Sequence, residues 1–176
     1  LKLRRKQTDL ESWRRFVGQA KMVKKPVKIG IVGKYFATGD FVLSDSYLSV
    51  IEAIKHACFA QNLKPEIAWL EAGRFEKGRN IKELKNYQGI IIPGGFGSRD
   101  VEGKIAAIQF CREHKIPYLG LCFGLQLAVV EYARHVLGLK GAHTTEIDPQ
   151  TPHPVIHIMP EQEKKLLTQD YGGTMR

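Results

Sequence analysis

The sequence predicts an α/β fold: a mostly parallel sheet with helices on both faces. Two observations carry this. Apolar runs rich in β-branched residues alternate along the chain with segments of helical periodicity. Those runs are apolar throughout rather than at every second position, as strands buried on both faces are. Sheets of this kind gather ligands at the carboxyl ends of their strands, so the loops after Ile92 and Leu121 are where chemistry is expected.

The elements follow in order. Thr8-Asp9-Leu10-Glu11 has the form of a capping box, and Leu10, Trp13, Val17 and Ala20 follow at helical spacing, which predicts an amphipathic helix over 9–21. Lys24-Lys25-Pro26 ends it. Val27 to Val32 reads as a strand, and Tyr47, Val50, Ile51, Ile54, Ala57 and Cys58 fall on one face of a helix over 46–60. Glu66 to Leu70 and Gly89 to Ile92 are further strands. A helix is expected from Val101 to His114, a strand from Pro117 to Leu121 and a helix from Gly124 to Arg134. After Leu139 the pattern dissolves, and Thr151-Pro152-His153-Pro154 cannot be helix interior. The reading is one globular unit over 27–176 preceded by a basic arm over 1–26.

The net charge of +9 is concentrated in that arm. Residues 1–28 hold ten Lys and Arg against Asp9 and Glu11, a net of +8, whereas the 17 basic and 16 acidic residues of 29–176 leave +1. An arm whose aromatics are Trp13 and Phe16 is expected to be a solvated linker rather than a nucleic-acid contact. Three cysteines, an odd number without metal-ligand spacing, fit a reduced cytoplasmic compartment with no disulfide framework and no metal site. No apolar run approaches the length of a membrane span.

Gly120-Leu121-Cys122-Phe123-Gly124 stands where a strand ends and a helix begins, and it has the glycine spacing of a nucleophile elbow with cysteine as nucleophile. The strained turn leaves no room for side chains two residues to either side, and the following helix points its amides at the sulfur. Cys58 and Cys111 lie inside apolar helical faces and read as packing residues. Pro93-Gly94-Gly95-Phe96-Gly97 follows a strand, and its glycines let backbone N–H groups turn inward as an oxyanion hole. Gly30 to Tyr35 completes neither a Walker A loop nor a dinucleotide fingerprint.

Together with Ile116 to Ala128, these motifs resemble the core of the class I, triad-type glutamine amidotransferases, whose sheet is flavodoxin-like. Ser46 to Ala53, Thr145 to Pro149, His153 to Ile156 and Gly172-Gly173-Thr174-Met175-Arg176 are similar to the amidotransferase domain of the CTP synthase family, and the arm to the linker joining that domain to a synthetase domain. The resemblance covers nearly the whole chain. It implies that Cys122 attacks the glutamine amide, that Gly95 and the Phe123 amide form the oxyanion hole, and that Phe96, Gly124, Leu125, Gln126 and Glu146 help hold L-glutamine. It places Arg99 and Arg176 near a region linked to a GTP effector and to ammonia transfer. It implies no cofactor in this domain, with ATP and magnesium used in the synthetase domain to turn UTP into CTP, and a homotetramer for the whole enzyme. The family's catalytic His and Glu come after the segment matching Gly172 to Arg176, so the fold is expected to be incomplete at its C-terminus and the fragment inactive alone. Phe123 and Leu125 stand where the family has leucine and methionine, and Asp100 where glycine is common. His56, His114 and His135 fall on predicted helices and His143, His153 and His157 in the tail; none matches the family's histidine. Two other readings stay open: another cysteine-elbow enzyme of this fold, and a non-catalytic binding module.

Overall fold

A computed structural model gives the structure of the protein and describes residues 9–33, 47–95 and 98–159. A four-stranded parallel sheet in the order β2-β1-β3-β4 forms its centre, built from β1 (Pro26–Gly33), β2 (Lys64–Glu71), β3 (Gly89–Ile92) and β4 (Tyr118–Gly120). The helices are α1 (Glu11–Met22), α2 (Leu48–Ala60), α3 (Val101–Glu113) and α4 (Phe123–His135). The predicted alternation therefore holds.

Successive strand residues point to opposite faces, so each apolar run supplies two cores at once. Ile31 packs with Tyr47, Ile54 and Cys58 of the α2 side, joined by Ile29, Ile67 and Trp69. Val32, Leu70, Ile90 and Ile92 face the other way, onto Ile105, Ile108 and Cys111 of α3 and Leu127 and Val130 of α4. Among the described residues that second cluster is the larger, and its members are almost wholly withdrawn from water. On the α2 side Val50, Ala53, Ile54, Ile91 and Leu119 line an apolar groove of about 380 Å³.

Several elements differ from the sequence reading. The Thr8 of the expected capping box lies outside the described residues, and α1 starts at Glu11, whose amide donates to the Asp9 carboxylate at 2.9 Å. Glu11 is thus the first helical residue and cannot act as the third residue of a capping box. No residue of α1 is buried, and it rests on α2 through the Phe16 ring against His56 and Phe59. Ala57, expected on the inner face of α2, is exposed. Two 3-10 segments, Ala72–Gly78 and Ile81–Asn86, fill the connection from β2 to β3. The tail expected to be irregular contains a short parallel pair, β5 (His143–Thr144) and β6 (Pro154–Ile156).

A buried ion cluster fastens α3 to α4. Glu131, 1% exposed, accepts two hydrogen bonds from the Arg112 Nε and Nη2 atoms at 3.0 and 2.7 Å and lies 3.2 Å from the His135 Nδ1 atom. The paired geometry satisfies a carboxylate that burial alone would make costly.

Candidate active site

The sheet register builds the site. Ile92 stands beside Gly120 in parallel strands, and the Leu121 amide donates to the Ile92 carbonyl at 2.9 Å. The two loops that leave these strands are therefore neighbours at the same edge. Gly94 faces Cys122: a Cβ added at Gly94 would stand 3.4 Å from the Cys122 Cβ and 3.8 Å from its Sγ. Any larger side chain there would occupy the space above the sulfur.

Cys122 immediately precedes α4 with φ 51° and ψ −110°, a backbone conformation that a residue with a Cβ adopts only under constraint. The constraint is visible on both sides. At Gly124 a Cβ would collide with the Ile92 carbonyl oxygen, and at Gly120 it would stand 2.6 Å from backbone atoms of Gly124 and Leu125. The Tyr118 hydroxyl donates to the Gly124 carbonyl at 2.6 Å and pins the first turn of α4 to β4; burial pushes its phenol well above the usual range. The sequence reading missed this tyrosine, since nothing in the spacing of 118 and 124 marks them as partners.

Exposure separates the three cysteines. Cys122 is exposed while Cys58 and Cys111 are buried, and desolvation raises both buried thiols, Cys111 to about 12. Only Cys122 combines access with a position at a helix N-terminus. The amides of the first turn are mostly committed: Gly124 N donates to the Leu121 carbonyl, and Leu125 N and Gln126 N to the Cys122 carbonyl. Among the described residues, the Phe123 N–H has no backbone acceptor. Phe123 itself is 2% exposed, so its ring anchors that amide in the core.

Other expected site residues are placed as follows. Gly95 is half-buried in the loop beside the sulfur; Leu125 is exposed and Gln126 half-buried on the first turn of α4. Glu146 is exposed on the turn after β5, its amide donating to the Thr144 hydroxyl at 3.3 Å. Arg99 is exposed, with its Nε 3.3 Å from the Asp100 carboxylate. Phe96 and Arg176 lie outside the described residues. Asp100 adopts φ 60°, so the aspartate accepts the left-handed turn that glycine would take more easily and leads directly into α3. Among the described residues no group of three His, Cys, Asp or Glu could hold a metal ion, and no helix is long and apolar enough to cross a membrane.

Five of the six histidines have side chains engaged elsewhere. His56 meets the Phe16 ring, the His114 Nδ1 lies 3.0 Å from the Phe110 carbonyl, His135 contacts Glu131 and the His157 Nδ1 lies 2.9 Å from the Thr145 hydroxyl. His143 is buried and its Nδ1 accepts the Thr144 amide at 2.9 Å, which fixes the neutral ring. Desolvation and then the nearby Arg134 guanidinium hold its pKa below the ordinary 6.5, outweighing Glu102 and Asp148. The unfolded chain thus binds the proton more tightly than the folded one, and stability falls as pH drops from about 6.5 through the lower folded value. His143→Asn should flatten that part of the pH dependence, measured as the difference in denaturant midpoint between pH 7.5 and pH 5.5.

Comparison with known proteins agrees with this geometry. The family profile described as glutamine amidotransferase class-I matches residues 42–171. CTP synthases of Thermococcus gammatolerans and Pyrococcus furiosus are 53% and 52% identical over all 176 residues, and this chain spans 31% of the length of each. The CTP synthase of a Synechococcus strain is 47% identical over the same span. Among solved structures, the glutaminase domain of Trypanosoma brucei CTP synthase with bound acivicin is 36% identical at a TM-score of 0.69, the match covering 76% of this chain and 50% of that one. With a profile match across most of its length, and with a cysteine elbow facing a glycine loop at the sheet edge, the chain belongs to the class-I glutamine amidotransferases.

Proposed function

We propose that this chain is part of the glutaminase domain of a CTP synthase and that Cys122 is its nucleophile. The observation that carries the reading is the strained Cys122 backbone, which holds an exposed sulfur opposite the Gly94-Gly95 loop. In the proposed reaction the thiolate attacks the side-chain amide carbon of glutamine and the carbonyl oxygen takes the negative charge. The Phe123 N–H and the Gly95 backbone face that oxygen. Collapse of the tetrahedral species breaks the C–N bond, the nitrogen leaves as ammonia with an added proton, and water then cleaves the γ-glutamyl thioester to glutamate.

Phe96, Gly124, Leu125, Gln126 and Glu146 hold the amino-acid head in this proposal. The proton carrier is the His and Glu pair that follows in the family, since five of the six histidines here make the contacts given above. Ammonia passes to a synthetase domain that uses ATP and magnesium to aminate UTP. The arm over 1–26 is the linker to that domain, Arg99 and Arg176 belong to the effector or interface region, and the whole enzyme is a cytoplasmic homotetramer. The similarity to CTP synthases along the entire chain supports this assignment over other class-I amidotransferases.

The test is to join the chain to a synthetase domain and to the family's C-terminal segment, then to follow CTP formation from UTP and ATP. The expected result is CTP with either glutamine or free ammonia, and with ammonia alone after Cys122→Ala. CTP formation from ammonia but never from glutamine, with Cys122 intact, would contradict the reading and favour a non-catalytic module.

A further inference from the structure

Tyr118 opens β4, and its side chain reaches past the elbow to the far end of the turn. The hydroxyl donates to the Gly124 carbonyl at 2.6 Å, so one bond closes the chain around Cys122, from the first residue of β4 to the second residue of α4. Room for it comes from Gly120. A Cβ there would stand 2.6 Å from the Tyr118 hydroxyl oxygen as well as from backbone atoms of Gly124 and Leu125. The first glycine of the elbow therefore serves the tyrosine as much as the turn. Burial, with Cys111 adding to it, pushes the phenol well above the usual range, so the hydroxyl keeps its proton and donates at every working pH.

Gly124 is held at both of its polar groups. Its amide donates to the Leu121 carbonyl at 2.9 Å, and its carbonyl accepts from Tyr118. Both partners precede Cys122 in the chain, whereas Gly124 follows it. Rotation of the Cys122 backbone toward a relaxed conformation would swing the segment that begins at Phe123 and stretch both bonds together. A strained conformation such as φ 51° and ψ −110° lasts only where its surroundings over-determine it, and these two bonds do so. The Phe123 N–H rides on the same segment, beside the sulfur. Of the two bonds, the one from Tyr118 comes from a side chain and can be removed without altering the backbone.

We infer that Tyr118 is a positioning residue for the nucleophile elbow: its bond to the Gly124 carbonyl keeps Cys122 in the strained conformation and the Phe123 amide aimed beside the sulfur. The inference rests on the glutaminase reading of Cys122 and adds to it a side chain that acts without touching substrate. Loss of the hydroxyl lets the turn relax and misaims one oxyanion donor, which is expected to slow acylation about tenfold, less than deleting a donor outright.

The experiment has two arms. In the first, the chain joined to a synthetase domain and to the family's C-terminal segment is assayed for glutamate release and for CTP formation. Tyr118→Phe keeps the ring and removes the hydroxyl. It is expected to lower kcat for glutamate release about tenfold, with KM for L-glutamine within about threefold and CTP formation from free ammonia unchanged. In the second arm, thermal midpoints of the 176-residue chain are compared. Tyr118→Phe is expected to lower the midpoint by about 3 °C in a Cys122→Gly background, where the turn carries no Cβ strain. With Cys122 in place the loss should be about half of that or less, because relaxation of the strain offsets part of the lost bond. Tyr118→Met serves as a second variant if the phenylalanine form does not fold; its lost packing is the same in both backgrounds, so the difference between them remains. An unchanged kcat, a loss carried by KM instead, or a midpoint loss no larger in the glycine background overturns the role of Tyr118 alone. A native joined protein that makes CTP from ammonia yet releases no glutamate from glutamine, or release that survives Cys122→Ala, overturns the glutaminase reading and the role of Tyr118 with it.

Discussion

Gly124→Ala is expected to destabilise the protein by about 3 kcal/mol or more, lowering its thermal midpoint by about 10 °C. The added Cβ would collide with the Ile92 carbonyl oxygen and stand 2.9 Å from the Ile92 carbonyl carbon and 3.2 Å from its Cβ. Two of these atoms are backbone of β3, between β1 and β4, so they cannot swing away as a side chain would. Moving Ile92 would also break its bond from the Leu121 amide and the register with Gly120 that places the two loops side by side. Gly18→Ala is the matched control. It lies inside α1 with nothing within 4 Å of its added Cβ, and alanine there should stabilise by about 1 kcal/mol through helix propensity. Thermal unfolding by circular dichroism distinguishes the two, and equal midpoints would mean that α4 does not approach β3 as described.

Cys122→Ala is expected to abolish covalent capture of glutamyl groups altogether, with no loss of folding. Neither remaining cysteine can replace the sulfur, since both are buried and both thiols are pushed upward by desolvation. Cys122→Gly should be equally inert but more stable than the native chain by about 1 kcal/mol, because glycine accepts φ 51° and ψ −110° without the Cβ strain. A cysteine kept in a disfavoured conformation, where glycine would be more comfortable, is a local conflict of the kind that marks a functional site. Chemical denaturation of the native, alanine and glycine forms would reveal it. A glycine form less stable than the native chain would show that the elbow carries no strain.

The sheet was legible because Ile90 to Ile92 and Ile29 to Val32 are apolar runs with each residue buried or half-buried, and a run of that kind has few other uses. The elbow was legible because Gly120 and Gly124 flank Cys122 at a spacing whose physical reason is the crowding now seen at both positions. What stayed hidden depends on distant partners. β5 is two residues long and exists through pairing with β6, so His143 and Thr144 carry no periodicity of their own. Tyr118 and Gly124, Arg112 and Glu131, and Lys104 and Phe123 meet through tertiary packing that places side chains from different elements together. Lys104 is the sharpest case, since a lysine four residues after Asp100 reads as a solvated helix position. The capping box failed for the opposite reason: Thr8-Asp9-Leu10-Glu11 has the right letters, yet α1 lacks buried residues to fix its start, and the Asp9 carboxylate holds the Glu11 amide instead.

The central claim is that Cys122 receives the γ-glutamyl group, and peptide-mass analysis tests it most directly. The chain, joined to the family's C-terminal segment, is mixed with the p-nitrophenyl γ-ester of L-glutamate, quenched in acid and digested. One glutamyl group on the peptide containing Cys122, absent from the Cys122→Ala form, is the predicted result. An unmodified chain, or a glutamyl group on Cys58 or Cys111, would contradict it.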